Sequence, residues 1–590
     1  MSSEIAEKLS KQTMELVTKF ENRVDTFSNR DDLIGLTLGL DSVQAAVFAA
    51  EYFGRGEFVA TGVDGSMDFD ERLQMMLFYS NATGFSCPFN VTGDVSFDLG
   101  SARRNEKLSA SAAIPLWAED FSSVLPEATE VDIELEHSME RIPNAFMTLG
   151  ELYLASRSLE RSRIIFLDRL ISGTYSTLSR DVRNIFRRGA TSLTKAGSKQ
   201  ISMLDLYLGL TIGAPGMAIP RRRRFLAAAF VKGLLDEERS SQQVASALDV
   251  EPHELERIIK RLKQLDERFG GSLLEDASNS SVKLRPEVRG YWERLIAFVE
   301  EYCRSVFELG HHPLALPNEQ WLTVIDVNAL SFILLQRVAD ICKRKKILLV
   351  GIAKDTTATD VTRSVLPFSI KNGYLKTKTR PPSLKNDRAF LTILSSTNDN
   401  IRTPWRTPGY DGAFSTIIHL EGQTPEFISA RKVVSREDLF VRSFFQLRTL
   451  RSDSHVRSPV FLFDRVYDDK YDRGALARLE VRERSGITEV EPYFEGNTKS
   501  MLSNLVLYVL SKTDNPEVFE AYGHNQLLYL ADKAVKAEVR LSRSSLRAVA
   551  DLRVGGMSRR KRIYGLMTSY REQRAEAEGA RTRAVSRHGD

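Results

Sequence analysis

Val63-Asp64-Gly65-Ser66 closes the strand-like run Phe58-Val59-Ala60-Thr61-Gly62 and sets a carboxylate at a strand end. An acid in that place is a natural metal ligand, and Gly-Ser behind it lets the backbone turn close past a bound phosphate. Asp-Gly is also a common tight-turn dipeptide, so the motif takes its meaning from its companions. Glu151 lies in Leu149-Gly150-Glu151-Leu152-Tyr153, within a stretch of helical periodicity where Glu140 and Glu160 are its rivals. Asp168 ends the apolar run Arg163-Ile164-Ile165-Phe166-Leu167, where an acid without a partner is costly and a ligand role is favoured. Lys354 follows a later apolar run, Ile347-Leu348-Leu349-Val350-Gly351, while His524 and Asp532 share the helical segment 522–532. Carboxylates that hold two cations roughly 3.5–4 Å apart hydrolyse phosphodiesters, one ion activating water and the other stabilising the leaving oxygen. A lysine at the last strand end would meet the phosphate or steady the carboxylates. Oxygen ligands, with or without an imidazole, suit Mn²⁺ or Mg²⁺. The late ligand is either His524 or Asp532, and Asp532 has Lys533 and Lys536 as alternative partners.

These side chains need a scaffold that gathers them. Phe58–Val63, Met75–Ser80 and Phe89–Val91 read as strands, with Val131–Leu135 as a further one. Met139–Leu159 has helical periodicity, Arg163–Leu167 is a short strand, and Lys346–Gly351 supplies a late parallel strand. Three strands, a helix and a strand open an RNase H-like sheet. The expected fold is therefore α/β, an RNase H-like mixed sheet flanked by helices and interrupted by a largely helical insertion. The boundaries predicted are an N-terminal helical segment over 1–52 and the first half of the core over 53–175. The insertion follows over 176–318, the second half of the core over 319–550, and a basic, flexible tail over 551–590. Within the insertion, Ser240–Val250 followed by Glu254–Leu262 has helix-turn-helix spacing, and Gly270–Leu284 could form a wing, which predicts a winged-helix module at about 220–290.

At 590 residues the chain exceeds what one core supports, and its 42% hydrophobic and 27% charged residues are those of an ordinary globular protein. No apolar run approaches the ~20 residues of a membrane span, so no membrane partner is expected. Three scattered cysteines, Cys87, Cys303 and Cys342, exclude a disulfide framework and point to the cytoplasm. The net charge of +4 is too small to imply a polyanion by itself, but Arg221-Arg222-Arg223-Arg224 is a local basic cluster suited to DNA phosphates. Arg559-Arg560-Lys561-Arg562 is a second basic cluster, and the Arg-containing loop Arg448–Arg451 could also hold DNA backbone. A Gly-x-x-x-x-Gly-Lys-Ser/Thr loop is absent, so the chain is not its own P-loop motor.

The succession of Val63-Asp64-Gly65-Ser66, helix Glu151, Phe166-Leu167-Asp168, Gly351-Ile352-Ala353-Lys354 and a late Tyr522…Asp532 helix resembles the NurA nuclease family. The resemblance covers about 55–175 and 315–545 and leaves out the insertion. It implies a homodimeric, Mn²⁺-dependent DNA nuclease with exonuclease and endonuclease action, fed by a HerA-like hexameric ATPase during DNA end processing or phage defence. It also implies Asp64, Glu151, Asp168, Lys354 and Tyr522 as catalytic residues. The family's late motif reads Tyr-Pro and then Ala-His, where this chain has Tyr522-Gly523 and Ala531-Asp532. Arg169 stands where the family tends to have Gly. Those departures open a second expectation, a non-catalytic DNA-binding or motor-loading adaptor on the same fold.

Overall fold

The computed structural model of the chain describes residues 2–25, 31–72, 75–125, 135–188, 191–196, 201–219, 225–236, 239–277, 281–316, 320–377, 384–412, 414, 418–421, 424–427, 439–448, 457–474, 477–483, 486–497, 499–514 and 522–561. Two helices, α1 (Ser2–Asp25) and α2 (Ser42–Phe53), precede the long central strands, the second capped by the Asp41 carboxylate on the Gln44 amide. Strands β1 (Gly56–Arg72) and β2 (Met75–Val91) then form one unbroken antiparallel ladder, from Gly56 opposite Val91 to Arg72 opposite Met75. Strand β3 (Arg103–Trp117) pairs with the outer side of β2 and buries every second residue from Leu108 to Leu116, as a strand with one covered face must.

This corrects one reading of the sequence. Met75–Ser80 and Phe89–Val91 are the two ends of one strand, because Asn81, Gly84 and Pro88 are absorbed into a continuous register. The missing side chain of Gly84 makes room for Leu108 of β3, whose Cβ would lie 2.9 Å from a Cβ at that position. Of the proposed strand Val131–Leu135, residues 131–134 lie outside the described residues, and Leu135 opens helix α3 (Leu135–Ser158).

Strand β4 (Ser162–Leu167) joins the free side of β1 in parallel and leads into helix α4 (Ile171–Arg188). In the insertion, helices α5 (Leu226–Asp236), α6 (Ser241–Ala247) and α7 (Pro252–Arg268) are followed by the hairpin β5 (Leu274–Ala277) and β6 (Val282–Leu284). That is three helices and a wing. Helix α6 starts with a Ser240–Gln243 capping box, and α7 starts at Pro252 with Leu255, Ile258, Ile259 and Leu262 turned inward.

The sheet resumes through helix α8 (Val324–Lys345) and strand β7 (Leu348–Ala353), parallel beside β4. Strands β8 (Phe440–Gln446) and β9 (Phe461–Val466) extend it antiparallel past β7. The central order β3-β2-β1-β4-β7, three antiparallel strands followed by two parallel ones, is the RNase H-like order, within a sheet of eleven strands among the described residues. Helices α3, α4 and α8 cover one face, and the buried residues of the insertion continue their apolar core. Helix α2, helix α9 (Met501–Thr513) and the start of helix α10 (Gln526–Lys561) cover the other. The fold is α/β, a mixed sheet between helical layers. No described helix is long and apolar enough to cross a membrane. Cys87, Cys303 and Cys342 are buried free thiols.

Candidate active site

Alternation along β1 decides which side chains meet. A Cβ on Gly62 would lie 2.7 Å from the Leu527 Cβ of α10, and one on Gly65 would lie 2.6 Å from the Met147 Cγ of α3. Residues 62 and 64 therefore face α10, while 63 and 65 face α3. Asp168 follows the last residue of β4, and its amide donates to the Val63 carbonyl at 3.3 Å, which sets it beside Asp64. Lys354 follows β7 two residues after Ile352, a member of the apolar core on the α10 face. The bare Gly62 lets α10 come down onto the strand, with the Leu527 carbonyl carbon and the Leu528 nitrogen near where a Cβ would stand, at 3.0 and 3.1 Å. Asp532 then comes one turn after the buried Leu528, on the same face of the helix. Ligand oxygens of Asp64, Asp168 and Asp532 all lie within 4.8 Å of one another.

The electrostatics of this group call for a cation. Burial, then the charges of Asp168 and Glu151, push the Asp64 carboxyl up to about 9. Its Oδ1 accepts the Gly65 amide at 2.8 Å, which fixes its rotamer. The Lys354 ammonium lies 2.6 Å from Asp168 Oδ2. Burial pulls that ammonium down, but the carboxylates of Asp168, Asp64 and Asp532 together hold the group above its ordinary value. Asp532 pairs with Lys536 at 2.7 Å, one turn further along the helix. Three converging carboxylates form an all-oxygen donor set of the kind that hard divalent ions take, so these residues fit Mn²⁺ or Mg²⁺.

Other expected residues fall elsewhere. Asp64 is not at the end of its strand: β1 continues to Arg72 against β2, and it is β4 that stops alongside Val63. Gly65 and Ser66 are accordingly strand residues opposite Ala82 and Asn81, not a phosphate-cradling turn. What the bare Gly65 leaves room for is Glu151, whose Oε1 and Cδ would crowd a Cβ there. Glu151 thus sits on the α3 face, across the strand from Asp64, and is only 2% exposed. Burial raises its carboxyl, and the Arg169 guanidinium, ion-paired to it, opposes that rise. Arg169 Nη1 donates to Thr148 Oγ1 at 2.8 Å, so Arg169 ties the residue after Asp168 to helix α3.

His524 is buried against Phe461, with ring centroids 5.4 Å apart, and among the described residues neither ring nitrogen has a hydrogen-bond partner. Burial and the nearby Lys354 charge lower it to about 3, so the imidazole is neutral. It lies beside the carboxylate group and outside its ligand set. Tyr522 is half-buried near the Arg448–Asp514 ion pair. Of the run Arg448–Arg451, Arg448 is taken up by Asp514, while residues 449–451 lie outside the described residues, as do Arg221, Arg222, Arg223 and Arg224.

One supporting residue was not read from the sequence. Asp464 of β9, fully buried, accepts the Ile171 amide at 3.0 Å and the Ser172 amide at 2.7 Å, capping α4 from another strand and fixing the turn after Asp168. Gly351 of β7 lies directly under that turn, where a Cβ would strike the Arg169 carbonyl and Asp464. No local signal marks Asp464, because its partners lie far away in the chain. Arg169, adjacent to Asp168, was open to recognition as a counter-charge. Next to these residues a cavity of about 900 Å³ is lined by Arg169, Thr148, Thr174, Thr177, Asn144 and Thr356, among others.

No sequence-family model and no curated protein matches the chain. Among solved structures it is similar to the NurA nuclease from Sulfolobus solfataricus, with 11% identity and a TM-score of 0.39 over 93% of this chain and 97% of that one. It is also similar to a structure of NurA with manganese, with 12% identity and a TM-score of 0.33 over 91% of this chain and 98% of that one. A structure of NurA bound to dAMP and manganese shares 13% identity and a TM-score of 0.30, covering 78% of this chain and 88% of the other. These are distant likenesses, and the fold and site stand on the strand order and side chains themselves.

Proposed function

We propose that this chain is a divalent-metal-dependent nuclease that hydrolyses phosphodiester bonds in DNA. The observation that carries the reading is the convergence of Asp64, Asp168 and Asp532, from three distant segments, with Lys354 paired to one of them. Held by the three carboxylates, Mn²⁺ or Mg²⁺ would supply Lewis acidity and a water of lowered pKa. Asp64, fixed by the Gly65 amide, orients one side of that ligand set, and Asp168, fixed by the Asp464-capped turn, orients another. Lys354 brings a positive charge to the same face, where a scissile phosphate oxygen could pair with it. His524, neutral and without a hydrogen-bond partner among the described residues, is a reserve ligand or proton acceptor beside Lys354.

The proposal extends to DNA as substrate, to a homodimer, and to a HerA-like hexameric ATPase as motor in end processing or phage defence. The absence of a P-loop in this chain and the motif order around Asp64, Asp168 and Lys354 support that extension. A non-catalytic adaptor is the second reading. The ion pairs Arg169–Glu151 and Lys354–Asp168 favour it, since they neutralise two carboxylates without a metal.

Cleavage of end-labelled linear single- and double-stranded DNA with Mn²⁺, Mg²⁺ or EDTA decides between them. EDTA-sensitive cleavage that is lost in Asp64→Ala and in Asp532→Ala supports the nuclease. Undiminished cleavage by Asp64→Ala would sink it, and DNA binding without cleavage, even with the motor added, would establish the adaptor.

A further inference from the structure

We infer that the winged-helix module is a separate site for duplex DNA, which seats α7 in the major groove through a stripe of arginine and lysine side chains. The inference goes beyond the proposed nuclease and uses none of the residues around Asp64. Leu255, Ile258, Ile259 and Leu262 turn inward and fix the orientation of α7. At about 100° per residue, the opposite side of the helix carries Arg257, Lys260, Arg261, Gln264 and Arg268, all exposed. No acid falls within that arc: Glu256 and Glu267 lie together on one flank and Glu254 on the other. Four cations on one face of a 17-residue helix suit a phosphate-edged groove about 12 Å wide, which admits an α-helix.

The stripe is held firmly against the wing. Asp266, on the far side of α7, accepts the Leu273 and Leu274 amides at 2.8 and 3.1 Å and so ties β5 to the helix. The Ser241 hydroxyl of α6 donates to the Val282 carbonyl and accepts the Val282 amide, both at 2.9 Å, which ties β6 to the module as well. Lys283 of the wing pairs with Glu275 at 2.7 Å, so the positive charge that selects DNA is the charge of α7. The chemistry also discriminates against other partners. Among the described residues, none of the exposed large apolar side chains lies on α7 or the wing, which leaves a protein without the apolar anchors that carry such interfaces. Single strands are held by exposed aromatic rings on which bases stack. Phe269, next to Arg268, is instead half-buried against Tyr207, with ring centroids 5.4 Å apart.

The test is fluorescence anisotropy on the full-length protein in EDTA, which stops metal-dependent cleavage, with labelled duplex and single-stranded DNA over a range of salt. Wild type is expected to bind the duplex more tightly than the single strand. Arg257→Ala/Arg261→Ala should weaken duplex binding at least about tenfold and flatten the slope of log K against log salt by about 2, roughly one for each lost phosphate contact. Both side chains are exposed and alanine is the better helix former, so the melting temperature should hold. Lys371→Ala/Arg402→Ala removes the same charge from exposed positions elsewhere and should leave the slope unchanged. An equal loss in the two variants, no loss in the first, or single strand bound as well as duplex would overturn the inference. A wild type that binds no duplex would overturn it too, and would leave the stripe to a protein partner. Loss of metal-dependent cleavage in Asp64→Ala does not depend on any of these results, so the nuclease reading and this one fail separately.

Discussion

Asp64 stores a conflict between folding and function. Its carboxyl, ordinarily at 3.8, is pushed up to about 9 by burial and by its acidic neighbours. Without metal the folded state therefore binds more protons than the unfolded one between those two values, and stability from this group falls as pH rises through that window. Asp64→Asn removes the conflict. In EDTA the variant should melt above wild type, by a margin that widens from pH 5 to pH 9 and reaches at least about 1 kcal/mol near neutrality. Saturating Mn²⁺ should reverse the order, because only wild type keeps the ligand. Differential scanning fluorimetry in both conditions checks this. The late ligand is decided by a second pair. Asp532→Ala should lower Mn²⁺ affinity by about tenfold to a hundredfold, judged by the usual cost of disturbing a metal site. His524→Ala should leave it within about threefold, since the imidazole stands outside the ligand set. An equal loss in both would make His524 a ligand as well.

At the scale of elements, the site depends on close approaches that lie next to the chemistry. Gly62→Ala would put a methyl 2.7 Å from Leu527 Cβ and 3.0 Å from its backbone carbon, so α10 must lift and carry Asp532 with it. About 1–3 kcal/mol of stability should be lost through overpacking. Metal-dependent cleavage should fall more than the melting temperature suggests, a disproportion that activity and melting assays on one preparation would show. Asp464→Ala acts from the other side of the sheet. It orphans the Ile171 and Ser172 amides and removes a partner of the Ser172 hydroxyl, at a cost of about 1–3 kcal/mol for each buried group left unpaired. Chemical denaturation would register this as a shift in midpoint, and cleavage should drop because the turn holding Asp168 loosens.

For the whole molecule, the candidate ligands tie together parts that are far apart in the chain. β1 and β4 lie in the first half, and α10 closes the second. Binding of an ion should therefore lock α10 onto the sheet, and by mass action an ion at 100 times its dissociation constant adds about 2.7 kcal/mol. Hydrogen exchange should slow on addition of Mn²⁺ in β1 around Asp64, in the turn after β4, and in α10 from Gln526 to Val539. The winged helices α5–α7 should be unaffected. Slowing confined to β1 and β4, with α10 unchanged, would remove Asp532 from the set.

The sequence by itself determined which residue types were available and on what kind of element each sat. Asp168 after a buried apolar run, Lys354 after another, and Asp532 on a late helix were legible because apolar periodicity is local, and so was the α/β class. Local signals could not show that Met75–Val91 is one strand, since Gly84 and Pro88 read as breaks until β1 holds them in register. Nor could they tell that Asp64 and Glu151 face opposite ways. That depends on which helix covers which side of β1, settled by the glycines at 62 and 65 and the helices packed against them. The pairing of Arg169 with Glu151 and the capping of α4 by Asp464 were likewise decided only in three dimensions, where burial makes an unpaired charge or amide too costly to leave alone.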